Sequence, residues 1–153
     1  DVTRKIELLR NYHTLFCGKF MGATFTKNSF IRENRLHYKL KYIEKMKLLM
    51  KLLYDQGDYA GVAEYCAAIL KMYPKSVDIN FWRIMALLQQ GNYDLVVSIE
   101  KNLMELMEAQ TYSILQHKIL MELKLSEEEL ANRIEGNPVY LRLFDEMRKF
   151  KTH

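Results

Sequence analysis

The chain has 153 residues, of which 49% are apolar and 27% charged, a composition typical of one globular domain large enough to bury a core. No apolar run reaches the roughly 18 residues that a membrane-spanning helix needs, and two cysteines are too few for a disulfide framework, which argues against membrane and disulfide-stabilised secreted classes. The net charge of +4 is uneven: residues 1–51 carry +8, residues 52–110 carry −4, and residues 111–153 are neutral.

Good helix formers (Leu, Met, Lys, Glu and Arg) dominate the sequence, and no segment alternates strictly between apolar and polar residues. The sequence therefore predicts an all-α fold in a single helical domain over residues 1–153. The chain starts with Asp rather than Met, which is compatible with a piece of a longer protein.

The first third, residues 1–42, is predicted to form basic N-terminal helices. Apolar residues from Ile6 to Phe20 recur at helical spacing, and a Thr-, Asn- and Gly-rich loop follows near residues 22–29. A second helix begins near Phe30 and can run unbroken into the next segment. Its apolar residues do not make a narrow stripe, so we expect contacts on more than one side. Its basic residues form a candidate nucleic-acid patch: Arg32, Arg35, Lys39, Lys41 and Lys45.

Two similar turns divide the middle of the chain. Gln56-Gly57-Asp58-Tyr59 recurs as Gln90-Gly91-Asn92-Tyr93, so the two glycines are 34 residues apart. Apolar helical segments flank each turn and predict helices at 43–54, 59–72, 77–89 and 93–107. Pro74 ends the second of these, because proline cannot continue a helix.

A 34-residue period of helix, glycine-containing turn and helix resembles the tetratricopeptide repeat family. The segment "QGDYAGVAEYCAAILKMYPKS" has that family's turn, its small residue in the second helix and its closing proline. The resemblance implies antiparallel helix-turn-helix repeats at 43–76 and 77–110. Residues 111–153 would then form a degenerate third repeat, with a capping box at Ser126 to Glu129, and a C-terminal capping helix at 138–151.

The resemblance also implies a concave groove lined by the first helix of each repeat. Its predicted residues are Lys47, Lys51 and Tyr54, then Phe81, Met85 and Leu88, then Tyr112, Leu115 and Ile119. Chaperone-binding members of the family hold a terminal carboxylate with Lys, Arg and Asn residues. Here Trp82 and Gln116 stand at two such places, which argues against that ligand.

No motif for catalysis, metal binding or phosphate binding is found. The four histidines show no HExxH spacing, and His13 and Cys17 supply only two potential ligands on one helix face. We therefore expect no enzyme activity and no cofactor.

The sequence predicts a protein-interaction module, an adaptor or scaffold subunit of a larger intracellular complex in the cytoplasm or nucleus. Its partner would be a peptide or helix with acidic and apolar residues. The alternative is a nucleic-acid-associated helical domain of a nuclear transcription or chromosome-maintenance complex, with Tyr38 and Tyr42 interleaved among the basic residues for base stacking. Self-association through uncovered repeat ends is a further possibility.

Overall fold

A computed structural model describes the backbone of residues 1–20 and 29–123 and the side chains of residues 1–18 and 35–123. Within these ranges the chain is all-α, as predicted, with six helices and no strand. The helices are α1 (Val2–Phe20), α2 (Ser29–Asp55), α3 (Tyr59–Met72), α4 (Val77–Gln89), α5 (Tyr93–Leu106) and α6 (Ala109–Leu123). The capping box at Ser126 and the helix at 138–151 lie outside the described residues.

The first of two compact units spans Asp1–Asp58 and contains α1 and α2. Tyr42 on α2 stacks on Phe16 near the end of α1, whereas Leu53 borders the same cleft as Ile6 near its start. The two helices therefore run antiparallel. As expected from the sequence, α2 is one unbroken helix of 27 residues.

A left-handed glycine ends α2. Gly57 has a φ of 77°, a conformation that costs a residue with a Cβ about 1–2 kcal/mol. Three backbone N–H groups close the turn: Gln56 donates to Leu52 (3.2 Å), Gly57 to Tyr54 (2.9 Å) and Asp58 to Leu53 (2.9 Å). These bonds satisfy carbonyls that the end of the helix would otherwise leave without partners.

The turn after α4 repeats this geometry 34 positions later. Gly91 has a φ of 71°. The same three bonds recur: Gln90 donates to Ala86 (3.0 Å), Gly91 to Leu88 (3.1 Å) and Asn92 to Leu87 (2.9 Å). The sequence period thus corresponds to a repeated backbone structure at the two turns.

The second unit begins at Tyr59, and α4 is its central described helix. α4 packs against α3, α5 and α6, and eight of its thirteen residues are buried. The predicted bounds of α3 and α4 are confirmed. α5 ends one residue before the predicted end, because Met107 is extended (ψ 151°), and α6 begins at Ala109, two residues before the predicted start of the third repeat.

Side chains fix the short connection between α3 and α4. The Ser76 hydroxyl accepts from the Ile79 N–H (3.3 Å) and caps the start of α4. The buried Asn80 amide donates to the carbonyls of Pro74 (3.1 Å) and Ser76 (2.8 Å). Asn80 therefore satisfies two backbone acceptors of the connection from inside the helix that follows it.

Replacing Gly57 or Gly91 with alanine should lower the free energy of unfolding by about 1–2 kcal/mol each. A Cβ at either position would meet no atom within 4 Å, so the cost arises from backbone conformation alone. Gly18 inside α1 is the matched control, because alanine there also has open space and should stabilise the helix by up to about 1 kcal/mol. Urea denaturation followed by circular dichroism measures all three. Equal stability of Gly18→Ala and Gly91→Ala would contradict the assignment.

Asn80→Leu should destabilise the second unit by about 1–2 kcal/mol, because the Pro74 carbonyl loses its amide donor and the Ser76 carbonyl keeps only the backbone N–H of residue 80. Asn102→Leu makes the same chemical change at an exposed position of α5 and should stay within about 0.5 kcal/mol of the parent. Thermal and urea unfolding of the two variants decide the question. A loss at Asn80 no larger than at Asn102 would show that these hydrogen bonds do not matter.

Candidate functional site

Six of the nine predicted groove residues are buried in the second unit. Phe81, Met85 and Leu88 on α4 and Tyr112, Leu115 and Ile119 on α6 are each at most 7% exposed. The physical reason is the central place of α4, which α3, α5 and α6 contact. The six side chains belong to the core in this structure and present no accessible groove wall.

Phe81 shows how the core is built. Its ring makes an edge-to-face contact with Trp82 at 5.0 Å between centroids, and the Lys118 ammonium lies 5.1 Å from its centroid. Lys118 also pairs with Asp78 at the start of α4. Phe81 therefore helps to join α6 to α4 and is not displayed for a partner.

The other three predicted groove residues, which lie on α2, are accessible. The side chain of Lys51 is 60% exposed and that of Lys47 is 34% exposed, while Tyr54 is half-buried. Lys47 pairs with Glu44 (3.2 Å) and Lys51 pairs with Asp55 (3.0 Å). Both ion pairs lie on the surface of one helix, where such pairs contribute little to stability.

The same face of α2 continues towards its N-terminus as an apolar surface. Leu36 is 64% exposed and Leu40 is 57% exposed, and Ile43 is half-buried beside them. At 100° per residue, these three residues and the three groove residues of α2 fall within about 80° of one another. We call this set the outer α2 face: Leu36, Leu40, Ile43, Lys47, Lys51 and Tyr54.

A second side of α2, centred about 110° around the helix from the outer α2 face, is buried. Tyr42, Met46, Leu49, Met50 and Leu53 are each at most 1% exposed. The helix thus has two apolar faces, which explains why its apolar residues show no narrow stripe in the sequence. Leu36 and Leu40 are not among the site residues predicted from the sequence. What distinguishes them in the sequence is that they are an apolar pair four residues apart that does not fit the periodic pattern of the buried residues.

The basic patch is spread around α2. Arg35, Lys41 and Lys45 are exposed and Lys39 is half-buried, whereas the side chain of Arg32 lies outside the described residues. At 100° per residue, Arg35 and Lys41 point to directions about 120° apart. Tyr42, predicted to stack on bases, is fully buried against Phe16, with ring centroids 3.9 Å apart. The structure therefore leaves no stacking platform at Tyr42.

A small polar cluster lies between α1 and α2. His13 Nδ1 is 2.6 Å from the Tyr42 hydroxyl, and Cys17 Sγ is 3.8 Å from both ring nitrogens of His13. Burial lowers the pKa of His13 and raises the pKa of Cys17. A nucleophilic cysteine needs a lowered pKa, so this environment favours the unreactive thiol.

A cleft of about 380 Å³ lies in the first unit, between α1 and the turn after α2. The buried Ile6 and Leu53 form its floor, and Arg10 approaches Asp58 to 4.0 Å at its rim. The rim carries both signs of charge and so selects no ligand class.

Among the described residues, no group of three or more His, Cys, Asp and Glu could hold a metal ion. Within the same part of the chain, no helix is both long and apolar enough to span a membrane. Comparison with protein-family models, curated proteins and solved structures finds no match for this chain. The resemblance to tetratricopeptide repeats therefore depends on the residues of the repeated segments and stays a prediction.

The stability of the protein should fall with decreasing pH because of His13. Its lowered pKa means that the folded state favours the neutral ring. The contribution is fully present above the ordinary pKa of about 6.5 and is lost as the pH falls from that value to the lower pKa of the folded state, since over this range the unfolded chain binds more protons. His13→Gln, which does not titrate, should lose less stability than the parent between about pH 7 and pH 5.

Urea unfolding at several pH values measures the parent and His13→Gln. Identical slopes for the parent and His13→Gln would show that burial of His13 does not influence folding.

Proposed function

We propose that the chain is a noncatalytic helical repeat module that binds another protein, as an adaptor or scaffold subunit of a larger intracellular complex. The observation that carries this proposal is the repeated turn: two left-handed glycines, 34 residues apart, each closed by the same three backbone hydrogen bonds. Repeats of this length stack helix pairs into extended surfaces, and such surfaces are used to bind proteins.

The packing within the second unit supports a tetratricopeptide-like arrangement. The short connections at 73–76 and 90–92 make α3, α4 and α5 sequential antiparallel neighbours. α4 also packs on α6, as the first helices of successive repeats do in a stacked array. In this arrangement α4 and α5 form one repeat and α6 begins the next.

The polar cluster around His13 supports a role without catalysis. A Cys–His pair is the arrangement of a cysteine nucleophile and its base. Here His13 engages the Tyr42 hydroxyl, and burial raises the pKa of Cys17. Cys66 is also a free thiol, and burial raises its pKa to about 12.

A nucleic-acid-associated role is the second candidate, and the charge of the first unit favours it. Residues 1–58 contain 12 Lys and Arg against 6 Asp and Glu, a net charge of +6. Positive surfaces attract phosphate backbones whatever their sequence. The spread of the basic residues around α2 and the burial of Tyr42 make this candidate the weaker of the two.

Affinity purification of the whole chain from its native cell type, with and without nuclease, tests the proposal. We expect one or a few proteins in near-stoichiometric amount, retained after nuclease treatment. Leu115→Asp places a charge at a fully buried position of α6 and should abolish recovery by unfolding the second unit. Leu95→Asp, at an exposed position of α5, is the matched variant that should remain folded.

The effects of nuclease and salt on binding distinguish the two candidate functions. Recovery that disappears with nuclease would shift the function to nucleic acid, and binding to an oligonucleotide would then weaken steeply with salt because counterions are released. Equal recovery with the unfolded Leu115→Asp protein would show that the captured proteins do not recognise the fold, and the proposal would fail.

A further inference from the structure

The outer α2 face combines an apolar end with a cationic end. Leu36, Leu40 and Ile43 form the apolar end, and two exposed leucines four residues apart present a continuous surface on one side of the helix. Lys47 and Lys51 follow on the same side. At 1.5 Å per residue, Lys47 lies about 10 Å along the axis from Leu40.

Each of the two lysines has an ion pair at the surface of α2. Their ion pairs with Glu44 and Asp55 join side chains of one helix that are 34% to 72% exposed. Water competes strongly with such surface pairs, so replacing one carboxylate by another costs little. Residues 1–58 carry an excess of six positive charges. A partner with carboxylates at this end of the face would therefore be attracted over a long range.

A second copy of the chain fits this face poorly. In an antiparallel pairing of two α2 helices along the whole face, Leu36 would meet Lys51 and Leu40 would meet Lys47, which places ammonium groups against leucines. In a parallel pairing, lysines would meet lysines. Either pairing opposes like charges or buries a charge without a partner, and both are costly.

Another exposed apolar pair of comparable size lies on α6, whose described residues include one lysine, Lys118, instead of the two on the outer α2 face. Ile114 and Met121 on α6 are 57% and 64% exposed, almost the same values as Leu40 and Leu36. The residues between them on that face, such as His117, are not a row of like charges. The α6 pair is therefore an apolar surface without charge selection, which makes it a suitable control.

We propose that the outer α2 face docks an amphipathic helix of a partner protein, with apolar residues against Leu36, Leu40 and Ile43 and carboxylates against Lys47 and Lys51. The inference rests on the proposed function as a protein-interaction module and names the chemistry of the partner. Apolar anchors at helical spacing match a helix that lies along another helix, and the carboxylates lie about two turns beyond the anchors.

Two labelled peptides of about 20 residues test the inference on the whole chain by fluorescence anisotropy. The acidic peptide has leucines on one face for half its length and glutamates on that face for the other half. The basic peptide has lysines in place of the glutamates. We expect saturable binding of the acidic peptide with a Kd below about 1 mM and at least tenfold weaker binding of the basic peptide.

Three variants locate the binding, each checked for helix content by circular dichroism. Leu36→Ser/Leu40→Ser should weaken binding of the acidic peptide about tenfold or more, whereas Ile114→Ser/Met121→Ser should leave it unchanged. Lys47→Glu/Lys51→Glu should reverse the preference, so that the basic peptide binds more tightly than the acidic one. Because all six positions are at the surface, these variants should remain folded.

Several outcomes would overturn the inference: no saturable binding of the acidic peptide, an equal loss in the α2 and α6 serine variants, or an unchanged preference after charge reversal. Displacement of the peptide by a single-stranded oligonucleotide would assign the face to nucleic acid. A dimer that is detected by sedimentation and abolished by Leu36→Ser/Leu40→Ser would assign the face to a second copy.

If the peptide does not bind but the nuclease-resistant cellular partner is still recovered, only this inference fails. If the peptide binds but no cellular partner is recovered, the proposed function fails instead.

Discussion

The enclosure of α4 is the constraint on which the second unit depends. α3, α5 and α6 all pack on this helix of thirteen residues, and eight of its residues are buried. Its neighbours remove the apolar side chains of α4 from water on several sides. The hydroxyl of Ser76, the amide of Asn80 and the pair of Lys118 with Asp78 hold its first turns in place.

The two glycine turns end α2 and α4 and redirect the chain within three positions. The turn after α4 thereby places α5 against α4. The turn after α2 has the same bonds, and its Asp58 also approaches Arg10 of α1. The ends of the helices at these two turns therefore follow from local backbone geometry, which is repeated at a fixed interval, and do not depend on long-range packing.

The first unit differs because α2 is covered on one side and accessible on the other. Its buried side includes Tyr42, which stacks on Phe16 and bonds His13. On its outer side, Leu36 and Leu40 are exposed to water, and the free energy of solvation of these apolar side chains is unfavourable. Exposed leucines beside lysines are a surface that a partner can cover with a gain in both hydrophobic burial and charge pairing. The proposed docking of an acidic helix follows from this asymmetry.

The sequence by itself determined the all-α fold, the bounds of α3 and α4 and the two turns. These features follow from signals within a few residues, namely the left-handed preference of Gly57 and Gly91 and the break at Pro74. The tertiary structure alone decided which apolar residues are accessible. The sequence predicts Phe81 as a partner contact and Leu36 in no site, yet Phe81 is 5% exposed and Leu36 is 64% exposed. Burial depends on which helices pack together, and the periodicity of a single helix carries no information about its neighbours.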